Sequence, residues 1–169
     1  ISPNHEDSTI TLDFNKAVTD ALKYLKALNH QKIGFLGGKE YVDDSVLYHD
    51  SRKEIFIDFC NQNNIIYKPY LLEGEFSNES GYTMMIDMIN QGDLPTAIFC
   101  ASDPIAIGAL RALQERNIRV PEDISLIGFD DIKAASFTTP PLTTVFAPAD
   151  LMGEYGANIV YNLLSKYSS

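Results

Sequence analysis

The sequence is short of basic residues, of cysteine, of histidine and of long apolar runs. Thirteen Lys and Arg stand against 23 Asp and Glu in 169 residues, a formal net charge of -10. Nucleic-acid phosphates are bound by clustered cations, so this balance argues against nucleic-acid binding by the chain's own surface. No apolar stretch approaches the roughly 18 residues of a membrane span, so no membrane contact is expected. Of the two cysteines, Cys60 and Cys100, each falls inside an apolar helix or strand pattern. That predicts two free buried thiols rather than a disulfide. The three histidines, His5, His30 and His49, fall in loops or a turn, and none is placed as a general base. No His/Cys cluster has metal-ligand spacing, so neither a metal nor a cofactor nor a catalytic residue is expected. There is no signal-peptide pattern, but the first residue is Ile1 rather than Met. An upstream segment is therefore expected, and the missing signal is silent about targeting.

What is present is the material of a globular domain. The hydrophobic fraction of 45% is ordinary, and the length suffices for one domain with a sizeable core. The stretch from Pro95 to Asp131 organises the rest. Thr96 to Cys100 and Ile124 to Phe129 are continuous apolar runs between turn signals, the pattern of strands buried on both faces. Between them, Asp103 suits a helix N-cap and Pro104 the first helical position. Ile105, Ala106, Ala109, Leu110 and Leu113 then recur at helical spacing. Strand, helix and strand in this order make a βαβ unit with parallel strands. Asp103 and Asp130 are thereby expected at the carboxyl ends of neighbouring strands, the edge where open α/β sheets bind ligands.

Along the chain, residues 1–9 read as a polar loop, and Ile10 to Leu12 is too short for a full strand. A helix follows, capped by Asp13 or Asn15, with Val18, Ala21, Leu22, Leu25 and Leu28 on one face. Asn29 suits a left-handed stop, and Ile33 to Leu36 is a buried strand closed by Gly37 and Gly38. Lys39 to Asp50 is a long loop with Asp43, Asp44 and Asp50, either solvated or a pocket wall. Ser51 and Glu54 match a capping box before a helix with Ile55, Phe56, Phe59 and Cys60 inward. Tyr70 to Leu72 is the next strand. A helix capped by Ser77 or Ser80 follows, with Tyr82, Met85, Met88 and Ile89 as core. Leu142 to Phe146 reads as a further strand and Ala149 to Lys166 as a last helix. The fold class is α/β, a doubly wound parallel sheet.

Several segments resemble one family. Residues 27–38, reading ALNHQKIGFLGG, resemble the "LGH..IAFIGG" segment of the LacI/GalR family of sugar-responsive transcriptional repressors. Residues 95–103, PTAIFCASD, resemble its "PTAIFAAND", and residues 120–131, VPEDISLIGFDD, resemble its "VPEDISVIGFDD". Residues 141–145 match "PLTTV", and Arg52 with Phe56 resembles "R..GF". The resemblance implies a periplasmic-binding-protein-like type I fold, of which this chain is mostly the C-terminal subdomain. On that basis residues 1–13 are a remnant of the first subdomain and crossover. Residues 14–141 are the C-terminal effector-binding subdomain. Residues 142–169 are the strand and helix returning to the first subdomain. It further implies a cytoplasmic homodimer that binds a sugar or sugar derivative in a cleft and meets operator DNA only through an N-terminal helix-turn-helix absent here. The implied dimer contacts are Ile107, Arg111, Ala134 and Ser136.

A sugar offers hydroxyls that donate and accept on a ring with apolar faces. Carboxylates accept, a guanidinium donates and an aromatic ring covers a face. Arg52, Asp103, Phe129 and Asp130 are therefore the expected effector contacts, with Tyr48 a further stacking candidate, and the resemblance implies a contact at Ser102 as well. Two positions depart from the family pattern: Ser102 stands where an Asn precedes the Asp, and Ala147 where a Gln is common. Each residue also has a plainer role. Asp103 is a helix cap in any case, Asp130 and Asp131 suit a turn, and Arg52 can be a solvated side chain, although the local cost of a cation in a first helical turn favours a ligand role. Competing functions are a transporter's sugar-binding protein, which shares the fold, and a glycosidase, which needs two carboxylates about a glycosidic bond. A phosphorylated carrier protein, a partner in one branch of the family, is not expected, because residues 149–164 contain no Lys or Arg.

Overall fold

The computed structural model describes residues 9–41, 47–48 and 50–167, with the backbone alone at 40, 41, 47, 48, 166 and 167. In chain order the elements are α1 (Phe14–Ala27), β1 (Ile33–Gly38), β2 (Glu40–Tyr41), β3 (Leu47–Tyr48), α2 (Ser51–Gln62) and β4 (Leu71–Gly74). They continue with α3 (Asn78–Asn90), β5 (Ala97–Cys100), α4 (Asp103–Glu115), β6 (Ser125–Asp130), β7 (Thr143–Phe146) and α5 (Ala149–Tyr167). The chain divides into two compact units. Phe14–Phe146 forms one, and Ile1–Asp13 with Ala147–Ser169 the other.

The larger unit is built on a five-stranded sheet of order β4-β1-β5-β6-β7 in which every pairing is parallel. This is the expected doubly wound sheet. Its inner strands β1 and β5 are buried throughout, as their uninterrupted apolar sequences require. β7, which the sequence reading assigns to the returning segment from residue 142, lies in this sheet beside β6, with Gly128 opposite Thr144.

Period-two alternation divides the core between two faces. Leu36, Ile98, Cys100 and Leu126 meet α3 and α4 through Met85, Met88, Ile105, Ala109 and Leu113. Phe35, Phe99 and Phe129 point the other way and form an aromatic row. Phe56 of α2 lies 5.1 Å from Phe35, Phe35 lies 6.2 Å from Phe99, and Phe99 lies 6.4 Å from Phe129. Phe14, the first residue of α1, closes the row 5.8 Å from Phe129. Cys60 and Cys100 are free, buried thiols, and burial pushes both well above the ordinary thiol value.

Several boundaries differ from the sequence reading. Tyr70 ends a short 3-10 turn begun by Lys68 and Pro69, so β4 starts at Leu71. Its buried phenol is satisfied by Asp93. The cap of α2 is Asp50 rather than Ser51, its carboxylate accepting the Arg52 backbone N–H at 3.0 Å. The cap of α4 is Ser102 rather than Asp103, because the Asp103 carboxylate is engaged elsewhere. Ser77 caps α3, and Asn29, Asn64 and Asn117 take positive φ just past helix ends. In the smaller unit, α5 carries exposed large apolar side chains, among them Tyr155, Tyr161 and Leu164. Residues 10–12 form no strand.

Helices α3 and α4 approach closely because each has a glycine at the crossing. A Cβ at Gly108 would overlap the backbone carbonyl of Asn78, and one at Gly81 the carbonyl of Ile105. Alanine is the better helix former by about 1 kcal/mol, but here it would have to push two backbones apart. Gly108→Ala is expected to lower the urea midpoint and to cost about 1–3 kcal/mol with the denaturant slope unchanged. A raised midpoint would mean that the two helices do not rely on backbone contact at this point.

Candidate functional site

Parallel strands all end at one edge of the sheet, and the residues that follow them converge there. Lys39 follows β1, Phe76 lies two residues past β4, Ser102 two past β5, and Asp130 closes β6. With Arg52 from the first turn of α2 and Pro104 from α4 they line a cavity of about 350 Å³. A volume of this order suits a small ligand. The structure thus brings together Arg52, Ser102 and Asp130, three of the five effector contacts expected from sequence. It adds two residues that the sequence did not single out, Lys39 and Phe76.

Arg52 is fixed from several sides. Its Nε donates to Asp50 Oδ1 at 2.8 Å and to Oδ2 at 3.0 Å, and Nη1 donates to the carbonyl of Ala101. The Phe14, Phe76 and Phe129 rings each lie 5.2 Å from the guanidinium carbon, a planar cation among π faces. Asp50 also offsets the dipole cost of an arginine in a first helical turn. Asp50, expected from sequence as part of the loop before α2, is a supporting residue. Its signal was its place before Ser51-Arg52, but serine is an equally good cap by type. Phe76 packs over the end of β1 because Gly38 has no side chain: a Cβ there would run into the Phe76 ring.

Asp130 is half-buried, and the groups that act on its carboxylate, Arg52, Asp103 and Asp50, do so through charge and not through a hydrogen bond. Burial pushes its carboxyl up to about 6 from the ordinary 3.8. The Arg52 charge opposes that rise, while Asp103 and Asp50 add to it. Ser102 is buried and caps α4, its Oγ accepting the Ile105 N–H at 3.5 Å.

The other two expected contacts sit behind the cavity. Asp103 is fully buried and spends both carboxylate oxygens on protein donors. Burial raises its carboxyl above the ordinary value, and its hydrogen bonds from Thr144 and from the Ile132 backbone pull the other way. Phe129 is also fully buried, under the Arg52 guanidinium. The side chain of Tyr48, Asp43, Asp44 and His49 lie outside the described residues.

Of the residues expected at a dimer contact, Ile107 and Arg111 line a groove between α3 and α4 with Tyr82 and Thr83. Arg111 lies 5.9 Å from the Tyr82 ring centroid and pairs with Glu115. Ala134 and Ser136 are exposed in a 3-10 turn after β6, next to Phe137 at 77% exposure.

The edge cavity offers a carboxylate that accepts, a guanidinium and an ammonium that donate, a serine that does either, and a phenyl face. A ring bearing hydroxyls is chemically complementary to that set. Another cavity of about 310 Å³, at the opposite edge of the sheet beside Tyr24, Leu28, Pro121 and Pro141, has no charged lining residue. Among the described residues no group of His, Cys, Asp and Glu could hold a metal ion. No helix there is long and apolar enough to cross a membrane.

Residues 22–168 match the periplasmic binding protein-like domain family. The chain is 38% identical over 159 residues to the HTH-type transcriptional regulator GalR of Streptococcus thermophilus, covering 93% of this chain and 48% of that protein. It is 35% identical over 170 residues to the HTH-type transcriptional repressor MelR of Bacillus subtilis, covering 96% and 48%. The chain spans about half the length of the curated relatives it matches. Among solved structures, the lac repressor dimer bound to operator and the anti-inducer ONPF aligns with a TM-score of 0.78 at 32% identity, covering 90% of this chain and 51% of that one. A LacI family regulator from Lactobacillus casei with bound sucrose aligns with a TM-score of 0.77 at 27% identity, covering 88% and 54%.

Asp130 gives a pH signature. Its carboxyl is raised in the folded state, so the contribution it makes to stability is fully present below 3.8 and is lost as the pH rises through about 6. The ionised form costs at most about 3 kcal/mol, and partial solvent access brings this to about 1–2 kcal/mol. Asp130→Asn removes the charge and tolerates the positive φ. It is expected to raise the unfolding free energy by about 1–2 kcal/mol at pH 8 and by almost nothing near pH 4. The same gain at both pH values would show that the carboxylate is not held in a desolvated place.

Proposed function

The chain belongs to the periplasmic binding protein-like domain family, in the form carried by LacI-type transcriptional regulators, and from that premise we propose that it is the effector-sensing and dimerising part of a sugar-responsive repressor. The observation that carries the reading is the gathering of Arg52, Asp130 and Phe76 in one cavity at the carboxyl edge of the sheet. Asp130 accepts two ligand hydroxyls, Arg52 and Lys39 donate, and Phe76 covers an apolar ring face. The ligand is a sugar or sugar derivative without an anionic group as its main anchor. Asp50 already takes the Arg52 charge, and Asp130 repels an anion. The sucrose bound to the L. casei relative is consistent with this chemistry.

In this reading ligand binding changes the balance between two arrangements of the longer protein and so the spacing of two DNA-reading heads. Operator contact belongs to a helix-turn-helix outside these residues, and the net charge of -10 argues against DNA binding by this surface. A transporter's sugar-binding protein is the alternative, and the curated relatives, named as transcriptional regulators, favour the repressor. They also argue against an enzyme. The dimer forms through the α3/α4 groove and the turn holding Ala134, Ser136 and Phe137.

Asp130→Ala is expected to cost sugar binding about 1.5–3 kcal/mol, the range of hydrogen bonds to a charged group. Calorimetric titration with galactose, melibiose, lactose and sucrose measures it. Unchanged affinity for a sugar that binds the unaltered protein would remove Asp130 from the site. Ile107→Asp places a charge in the groove and is expected to shift sedimentation toward monomer. An unchanged dimer would put the interface elsewhere.

A further inference from the structure

Asp130 and Asp131 are consecutive non-glycine residues at positive φ, 109° and 57°. Each such residue is strained, so a pair persists only where the surroundings hold it. Three hydrogen bonds converge on this turn. The Ile132 N–H donates to Asp103 Oδ2 at 2.8 Å, and the Asp131 N–H donates to Thr144 Oγ1 at 3.3 Å. The Thr144 hydroxyl spends its one proton on Asp103 Oδ1 at 2.6 Å, which leaves its lone pairs for the Asp131 N–H. The carboxylate reaches this point because residue 128 is glycine. A Cβ there would strike Asp103 Oδ1. Gly128 is also the β6 residue opposite Thr144 in the β6/β7 pairing. One buried carboxylate at the start of α4 therefore ties the exit of β6 to β7.

What this clasp holds in place is the Asp130 side chain. Directly after it in sequence are the two backbone N–H groups the clasp captures. Facing it are Arg52 and its partner Asp50 from the α2 side, Lys39 after β1, and Asp103 itself. Arg52, Asp50 and Asp103 act on the Asp130 carboxylate through charge, and no hydrogen bond is among the influences on it. Its position is set from the backbone, and its oxygens are left for a ligand.

We propose that Asp103 and Thr144 are positioning residues. They do not touch the effector, and they fix the turn after β6 so that the Asp130 carboxylate is presented to the cavity. The inference rests on the reading of Asp130 as an effector contact. It replaces direct contact by Asp103 with action through Asp130, and it makes Thr144, which lies outside the cavity, a determinant of binding.

The test is the titration of Asp130 itself, read by carboxyl carbon NMR on this chain, with the resonance assigned by its loss in Asp130→Asn. The unaltered protein is expected to show a midpoint of about 6. Thr144→Val keeps the shape and removes the hydroxyl. The freed turn then lets the carboxylate into solvent, and its midpoint falls toward 3.8. Thr144→Ser restores the hydroxyl and returns the midpoint to that of the unaltered protein. A structural role alone would lower stability and leave the Asp130 midpoint where it was. That outcome in folded Thr144→Val overturns the proposal. If Thr144→Val does not fold, Thr144→Ala is read in the same way, and failure of both to fold also overturns it, since the hydroxyl would then serve the fold and not the carboxylate. The two readings fail separately. Normal sugar affinity in Asp130→Ala removes the pocket assignment and leaves the titration result standing. A midpoint unmoved in Thr144→Val, with sugar affinity lost in Asp130→Ala, removes only the clasp.

Discussion

A buried carboxylate is the constraint on which this end of the sheet depends. Asp103 is fully enclosed, and an ion so placed costs several kcal/mol unless donors meet it. Two donors do, one from the backbone after β6 and one from β7. The charge therefore demands that three elements arrive together: the start of α4, the exit of β6 and the middle of β7. Glycine at position 128 follows from the same demand, because the strand must pass close over the carboxylate. Once those elements are joined, the place of Asp130 is fixed, and with it one wall of the cavity.

Arg52 is governed by a second balance. A guanidinium in a first helical turn faces the wrong end of the dipole, and partial burial removes solvent that would compensate. Asp50 answers the charge, the Ala101 carbonyl takes a second donor, and three phenyl rings take the faces. The rings come from α1, from the segment after β4 and from β6, so the aromatic row of the core ends at the cavity. Core packing and the proposed ligand site are thus one continuous structure. A ligand bound as proposed would meet a guanidinium whose orientation has already been set, which reduces the ordering cost of binding.

Much of this was legible in the residues and some was not. The parallel sheet followed from apolar runs with turn signals at both ends, and the strand ends marked the edge where Ser102 and Asp130 lie. Asp103 and Phe129 are each one residue from a cavity residue and yet sit behind it. On β6 the alternation that sends Phe129 into the aromatic core is visible in sequence, but which face is the core is decided by packing. Ser102 and Asp103 are both good caps by type. The choice between them is made by Thr144, 41 residues on, which takes Asp103 away. Phe76 and Lys39 lie in connections whose side-chain directions depend on neighbours such as Gly38, and no local pattern encodes them. Asp50 and Ser51 are equally good caps by type, and it is the local ion pair with Arg52 that favours Asp50.

In the proposed function the edge cavity receives a sugar through hydroxyls rather than through an anionic group. A thermal-shift screen against neutral sugars, sugar phosphates and nucleobases tests it most directly. A neutral sugar at about 100 times its dissociation constant is expected to stabilise the protein by roughly 2.7 kcal/mol, with its phosphorylated form giving less. Stabilisation by sugar phosphates or nucleobases and by no neutral sugar would contradict the claim.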